Sequence, residues 1–145
     1  MSSLEFFFED IKPLKIKKKA LWERIHFLIS NEGKIPGNIS VVFCSDNYLL
    51  NINEQYLNHD YYTDIVTFDY VENSVISGDL CISVDRILEN AEKFKTTFNK
   101  ELYRVIFHGI LHLTGYKDKS DEEKSVMRKK EDFYLRGFDF SEVGL

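Results

Sequence analysis

The chain has 145 residues, 43% hydrophobic and 30% charged, with twelve Phe and eight Tyr; it is long enough for one domain with one core and too aromatic for a disordered chain. Its net charge of −5 counts against a sequence-independent, high-affinity nucleic-acid binder, which needs a basic surface, but leaves room for a local basic patch. No apolar run approaches the roughly 18 residues of a membrane-spanning helix. The opening Met1-Ser-Ser-Leu-Glu lacks the charged and apolar regions of a secretory signal. With Cys44 and Cys81 in apolar runs and no C-x-x-C pair, the expectation is a cytoplasmic protein whose thiols are reduced and buried.

In chain order, residues 4–8 are short, apolar and aromatic, and predict a strand. Residues 17–31 predict an amphipathic helix, because Leu21, Ile25, Leu28 and Ile29 recur at helical spacing. Gly33 and the Pro36-Gly37 pair interrupt the chain. Residues 39–44 are β-branched and predict the second strand. Ser45-Asp46 caps a helix reaching residue 56, and residues 58–63 form a polar loop. Residues 65–70 and 75–83 predict two strands about a Glu72-Asn73-Ser74 turn. Helical patterns follow over residues 84–94, 100–113 and 120–135, the last opened by the capping box Ser120-Asp-Glu-Glu123. The order β-α-β-α-β-β-α-α-α, without repeat or internal linker, predicts one small α+β domain over residues 1–145. It combines about four strands in a mixed sheet with about five helices.

The most informative segment is His108-Gly-Ile-Leu-His112-Leu-Thr-Gly115-Tyr-Lys-Asp118. Histidines four residues apart share a helical face and can grip one ion. Gly115 suits a helix stop, and the turn beyond it can swing Asp118 toward the same ion. Two His and one carboxylate leave a position open for water, the pattern of a catalytic rather than a structural zinc. The same donors also suit other divalent ions. Metalloproteases with this His spacing place a Glu base directly after the first His. Here that residue is Gly109, so a peptidase would need a base from elsewhere.

Other residues admit a functional and a structural reading. Asp64 and Asp79, at strand ends, can support acid–base chemistry, or can end a turn and pair within the sheet. Arg104 lies one turn before His108, where it can reach a phosphate or pair with Glu101 or an acid on a neighbouring helix. Lys117 and His59 are candidates for substrate binding, and Tyr61 and Tyr62 for base stacking. A run of Lys117, Lys119, Lys124, Arg128, Lys129 and Lys130 begins inside the ligand motif. It is either a solvated face or a phosphate track.

The segment resembles the signature H-G-x-L-H-L-x-G-Y-D-H of the YbeY family of bacterial metallo-endoribonucleases, with Asp118 where that signature ends in His. Asn53-x-x-Tyr56 and Asp60-x-x-Thr63-Asp64-Ile65-Val66-Thr67-Phe68 are similar to the family's N-x-x-Y-R-x-x-D-x-x-T-D-V-L-S-F. Gly78-Asp79-Leu80-Cys81-Ile82-Ser83 is similar to its G-D-I-x-I-S strand, and Glu122, Glu123, Met127 and Glu131 to its E-E-x-x-x-M helix. The family's arginine after the tyrosine is Leu57 here. Its role is then absent, or supplied by His59, Arg104 or Lys117. The resemblance implies the same α+β fold and one Zn2+, or another divalent ion, held by His108, His112 and Asp118. It implies a metal-bound water as the reactive group, with single-stranded RNA as substrate. It further implies 16S rRNA 3′-end maturation and ribosome quality control at the small subunit. Zinc-bound water ionises near pH 7, which makes Gly109 tolerable in such an enzyme. Two alternatives stand beside it. One is a zinc hydrolase acting on peptide or amide bonds; the other is a non-catalytic ribosome-assembly factor with a structural metal.

Overall fold

The computed structural model describes residues 2–59 and 61–140. Its elements are β1 (Ser3–Phe8), α1 (Lys18–Asn31), β2 (Ile35–Cys44), α2 (Asp46–Leu57), β3 (Ile65–Asp69), β4 (Val75–Ser83), α3 (Val84–Lys93), α4 (Phe98–Leu113) and α5 (Asp121–Leu135). The four strands form one sheet in the order β1-β2-β4-β3. β1, β2 and β4 are parallel, and β3 joins β4 as an antiparallel edge strand. The expected α+β class, order and element types are all found.

Two boundaries differ from the sequence reading by two residues or more. β2 begins at Ile35 instead of residue 39, so Pro36 and Gly37 lie inside a strand. The ladder to β4 shifts register between Pro36 and Ile39, a bulge that tolerates a residue without an amide hydrogen. A Cβ at Gly37 would come within 2.6 Å of the Ile76 carbonyl oxygen, so the glycine serves a close strand approach and not a turn. α4 begins at Phe98 instead of residue 100, because the Thr97 side chain accepts from the Lys100 amide and caps the helix there.

Alternation along the strands assigns each face its cover. Ile39, Val41 and Phe43 of β2 with Leu80 and Ile82 of β4 face α1 and α4, whose Leu21, Ile25, Leu28, Leu102, Ile106 and Ile110 complete the main core. On the opposite face, Cys44, Val66 and Cys81 pack with Leu49 of α2. Both cysteines are free and buried. Burial pushes the Cys44 thiol up to about 12 and the Cys81 thiol up to about 11. α4 approaches the sheet closely through Gly109, where a Cβ would lie 2.8 Å from both Ile65 Cδ1 and Leu80 Cδ2. No helix among the described residues is long and apolar enough to cross a membrane.

Candidate metal centre

The helical repeat sets the first two donors. With Gly109 turned into the sheet, His108 and His112 project from the flank of α4, half-buried, with ring centroids 4.5 Å apart. The end of the helix sets the third. Gly115 has φ of 116°, and the amides of Gly115 and Tyr116 donate to the carbonyls of His112 and Leu111 at 3.0 and 3.1 Å. These two bonds form a Schellman stop. It reverses the chain and brings Asp118 Oδ2 to 3.2 Å from His108 Nε2 and 3.4 Å from His112 Nε2.

The outward nitrogens fix what the inward ones can do. His108 Nδ1 lies 2.7 Å from Glu131 Oε2 of α5, and His112 Nδ1 lies 2.9 Å from the Tyr116 carbonyl oxygen. Both partners accept, so in the neutral rings each Nδ1 carries the hydrogen. Both Nε2 lone pairs then point at each other, 3.0 Å apart, and at a carboxylate. Three electron-pair donors crowded in this way call for a cation between them. A tetrahedral ion with bonds of about 2.0–2.1 Å separates its ligand atoms by about 3.3 Å, close to the 3.0, 3.2 and 3.4 Å observed. The donor set therefore fits a small divalent ion. Among the described residues this is the only group of three or more such side chains that fits one. A carboxylate behind one histidine and a carbonyl behind the other are the usual means of orienting metal-binding imidazoles.

Electrostatics tighten the arrangement. Burial disfavours a charged His108, but the hydrogen bond and charge of Glu131, with Asp118 and Asp64 nearby, outweigh it and raise the His108 pKa. Burial raises the pKa of Asp64 against the opposing pull of His108. The loop bearing Asp118 is clamped from behind. Tyr116 Oη donates to Glu32 Oε1 at 2.5 Å, Lys130 Nζ sits 3.1 Å from Glu32 Oε2, and Tyr134 Oη also donates to Glu32.

The residues predicted from sequence separate into groups. Asp64, His59 and Lys117 line a cleft of about 710 Å³ whose wall includes His108, His112 and Asp118. His59 stacks on Tyr61, centroids 5.0 Å apart and planes 22° apart, at the cleft. Arg104 takes the second of its readings: it pairs with Glu131 at 3.1 Å and Asp132 at 2.9 Å. Asp79, expected at a strand end, lies in the middle of β4 and stays apart from the cluster. It shares the face of Cys81, opposite Leu80 and α4, and accepts from Tyr70 Oη at 3.2 Å. Tyr62 also leaves the cleft, donating to Asn47 Oδ1 at 3.2 Å beneath Arg86. Leu57 lines the cleft, and Asp60 lies outside the described residues. Sequence reading missed Glu131 as the partner of His108. Its signal was an acid four residues after Met127 on the buried side of α5, a position that demands a partner.

A family model described as endoribonuclease YbeY matches residues 9–139. An endoribonuclease YbeY from Parabacteroides distasonis is 50% identical over 129 residues, covering 89% of this chain and 91% of that protein. One from Flavobacterium psychrophilum is 53% identical over 111 residues, covering 77% and 79% respectively. The solution structure of a Thermotoga maritima protein aligns with a TM-score of 0.63 at 29% identity, over 92% of this chain and 87% of that one.

Proposed function

Since the chain belongs to the YbeY endoribonuclease family, we propose that it is a metal-dependent endoribonuclease that cuts single-stranded RNA. The observation that carries this reading is the convergence of His108 Nε2, His112 Nε2 and Asp118 Oδ2 within 3.4 Å of one another at the wall of an open cleft. We assign the ion as Zn2+, one per chain, on the two imidazoles and one carboxylate. When bound, it supplies Lewis acidity toward a phosphoryl oxygen and a water that ionises near pH 7.

The residues of the chain supply the rest. Glu131 and the Tyr116 carbonyl hold the two imidazoles in the tautomer that leaves Nε2 free. Asp64, which lines the cleft with His108 and whose burial raises its pKa, is the carboxyl placed to exchange a proton with a leaving oxygen. Lys117 and Lys119 at the cleft offer charge to the RNA backbone. The exposed His59–Tyr61 stack offers a platform for an unpaired base, a face that a duplex hides. The family relationship supports action in 16S rRNA 3′-end maturation and ribosome quality control, with the small subunit as partner, in the cytoplasm.

Two features weigh against the alternatives. Gly109 faces Ile65 and Leu80, so even a glutamate there would enter the sheet and not the cleft. A closed structural site needs a fourth protein ligand, and the described residues bring only three donors together. The test is cleavage of a 16S 3′-end RNA as a free strand and as the same strand annealed to its complement. Cleavage of the free strand alone is expected. Equal cleavage of the duplex would remove single-strand specificity, and turnover of casein without RNA cleavage would favour the peptidase.

A further inference from the structure

An endonuclease must accommodate its strand on both sides of the scissile bond, because the polymer continues in both directions. A single cleft that ended at the reactive centre would select chain ends instead. In this protein the His108–His112–Asp118 cluster stands at the junction of two clefts. The second has a volume of about 360 Å³, lies among α3, α4 and α5, and shares Asp64, His108 and Asp118 with the first.

The walls of the second cleft carry the chemistry of a nucleotide strand. Lys124 and Arg128 are one turn apart on α5, both exposed, and both line it. Lys124 has no carboxylate partner among the described residues. The acid nearest Arg128 is Glu131 at 3.8 Å, a group already engaged by Arg104 at 3.1 Å and His108 at 2.7 Å. The cleft also holds Asp64 and Asp118, both half-buried, and Glu101 and Glu131, both buried, so the exposed charges at its mouth are the cations Lys124 and Arg128. Phe94, just past the end of α3, is 55% exposed on the same wall. A bare aromatic ring beside two unspent cations is the combination that binds single strands, by base stacking and backbone attraction.

We propose that this second cleft is an RNA subsite. The strand that crosses the His/Asp cluster continues over Phe94, which stacks one base, while Lys124 and Arg128 hold the phosphodiester backbone. Arg104, neutralised by Glu131 and Asp132, takes no part. The proposal rests on the endoribonuclease reading above.

The test uses RNA oligonucleotides with one cleavage position, flanked equally on both sides or trimmed on one side or the other. Wild type, Lys124→Ala/Arg128→Ala and Phe94→Ala are compared as metal-loaded proteins for KM and kcat. Binding of a version with a hydrolysis-resistant methylphosphonate at the scissile linkage is followed by fluorescence anisotropy across salt concentrations. All three side chains are exposed, so the variants are expected to fold, with circular dichroism as the check. KM is expected to rise about tenfold in the double variant, with kcat within about twofold. The salt slope of binding should fall by about 0.7 per lost phosphate contact. Trimming one flank should weaken the wild type, and the same trimming should no longer matter in the double variant. An unchanged KM and salt slope, or a full trimming penalty on both sides in the variant, would overturn the subsite. Metal-loaded wild type that cuts no RNA at all would instead remove the endoribonuclease reading, and the subsite with it.

Discussion

At the scale of single residues, Glu131 does two jobs with one carboxylate, orienting His108 at 2.7 Å and neutralising Arg104 at 3.1 Å. Glu131→Gln keeps the shape and removes the charge. It is expected to lower metal affinity about 10–100-fold, read by competition with a coloured chelator; unchanged affinity would show that the carboxylate does not tune the site. Glu101 is a buried carboxyl whose pKa is raised from 4.5 to about 6, first by burial, against the partial relief of Arg104. Its ionisation therefore costs the folded state. That cost is absent below pH 4.5, grows as the pH rises, and is complete above about 6. Glu101→Gln should stabilise the protein by about 2 kcal/mol at pH 8 and by little at pH 4, as read from urea melts at both pH values. A gain of equal size at both would contradict the assignment. The three candidate metal donors were legible in the sequence because they lie on one helix and its cap, where the helical repeat and Gly115 dictate the geometry. Glu131 and Glu32 were not, because their partners arrive from other elements across the fold.

At the scale of elements, α4 decides where the chemistry stands. Its close seat on β3 and β4 through Gly109 aims His108 and His112 along the sheet edge toward the Asp64 end of β3. Gly109→Val would push a branched side chain against Ile65 and Leu80. The expected cost is about 1–3 kcal/mol, seen as a Tm lower by several degrees; an unchanged Tm would mean that the seat is loose. The end of α1 contributes at a distance, since Glu32 gathers Tyr116, Lys130 and Tyr134 behind the Asp118 loop. Helices and strands were legible from periodicity, and the capping box at Ser120 placed the start of α5. The start of β2 was misread because Pro36 and Gly37 carry the same composition at a bulge as at a turn. The opposite placements of Asp64, just before β3, and Asp79, in the middle of β4, were hidden as well, since only the sheet and its covering helices assign their faces.

At the scale of the whole molecule, the core and the metal centre are separable. The main core runs from β1 through α1 and α4 to Leu135 without including the candidate ligand side chains, so folding is expected not to depend on the ion. Chelation is expected to leave far-UV circular dichroism and cooperative melting in place, with a lower Tm because a native-state ligand has been removed. Unfolding on chelation would support the structural-metal alternative. The chain carries a net charge of −5, so on the proposed function RNA affinity is expected to rest on local cations at the clefts, on base stacking and on an ion held by the His/Asp cluster. The measurement that tests the account most directly is cleavage of a single-stranded 16S-type RNA by protein of known metal content, beside His112→Ala and a chelated sample. About one metal per chain is expected in the wild type, with cleavage by that sample alone. Full metal content with equal cleavage in all three samples would contradict it.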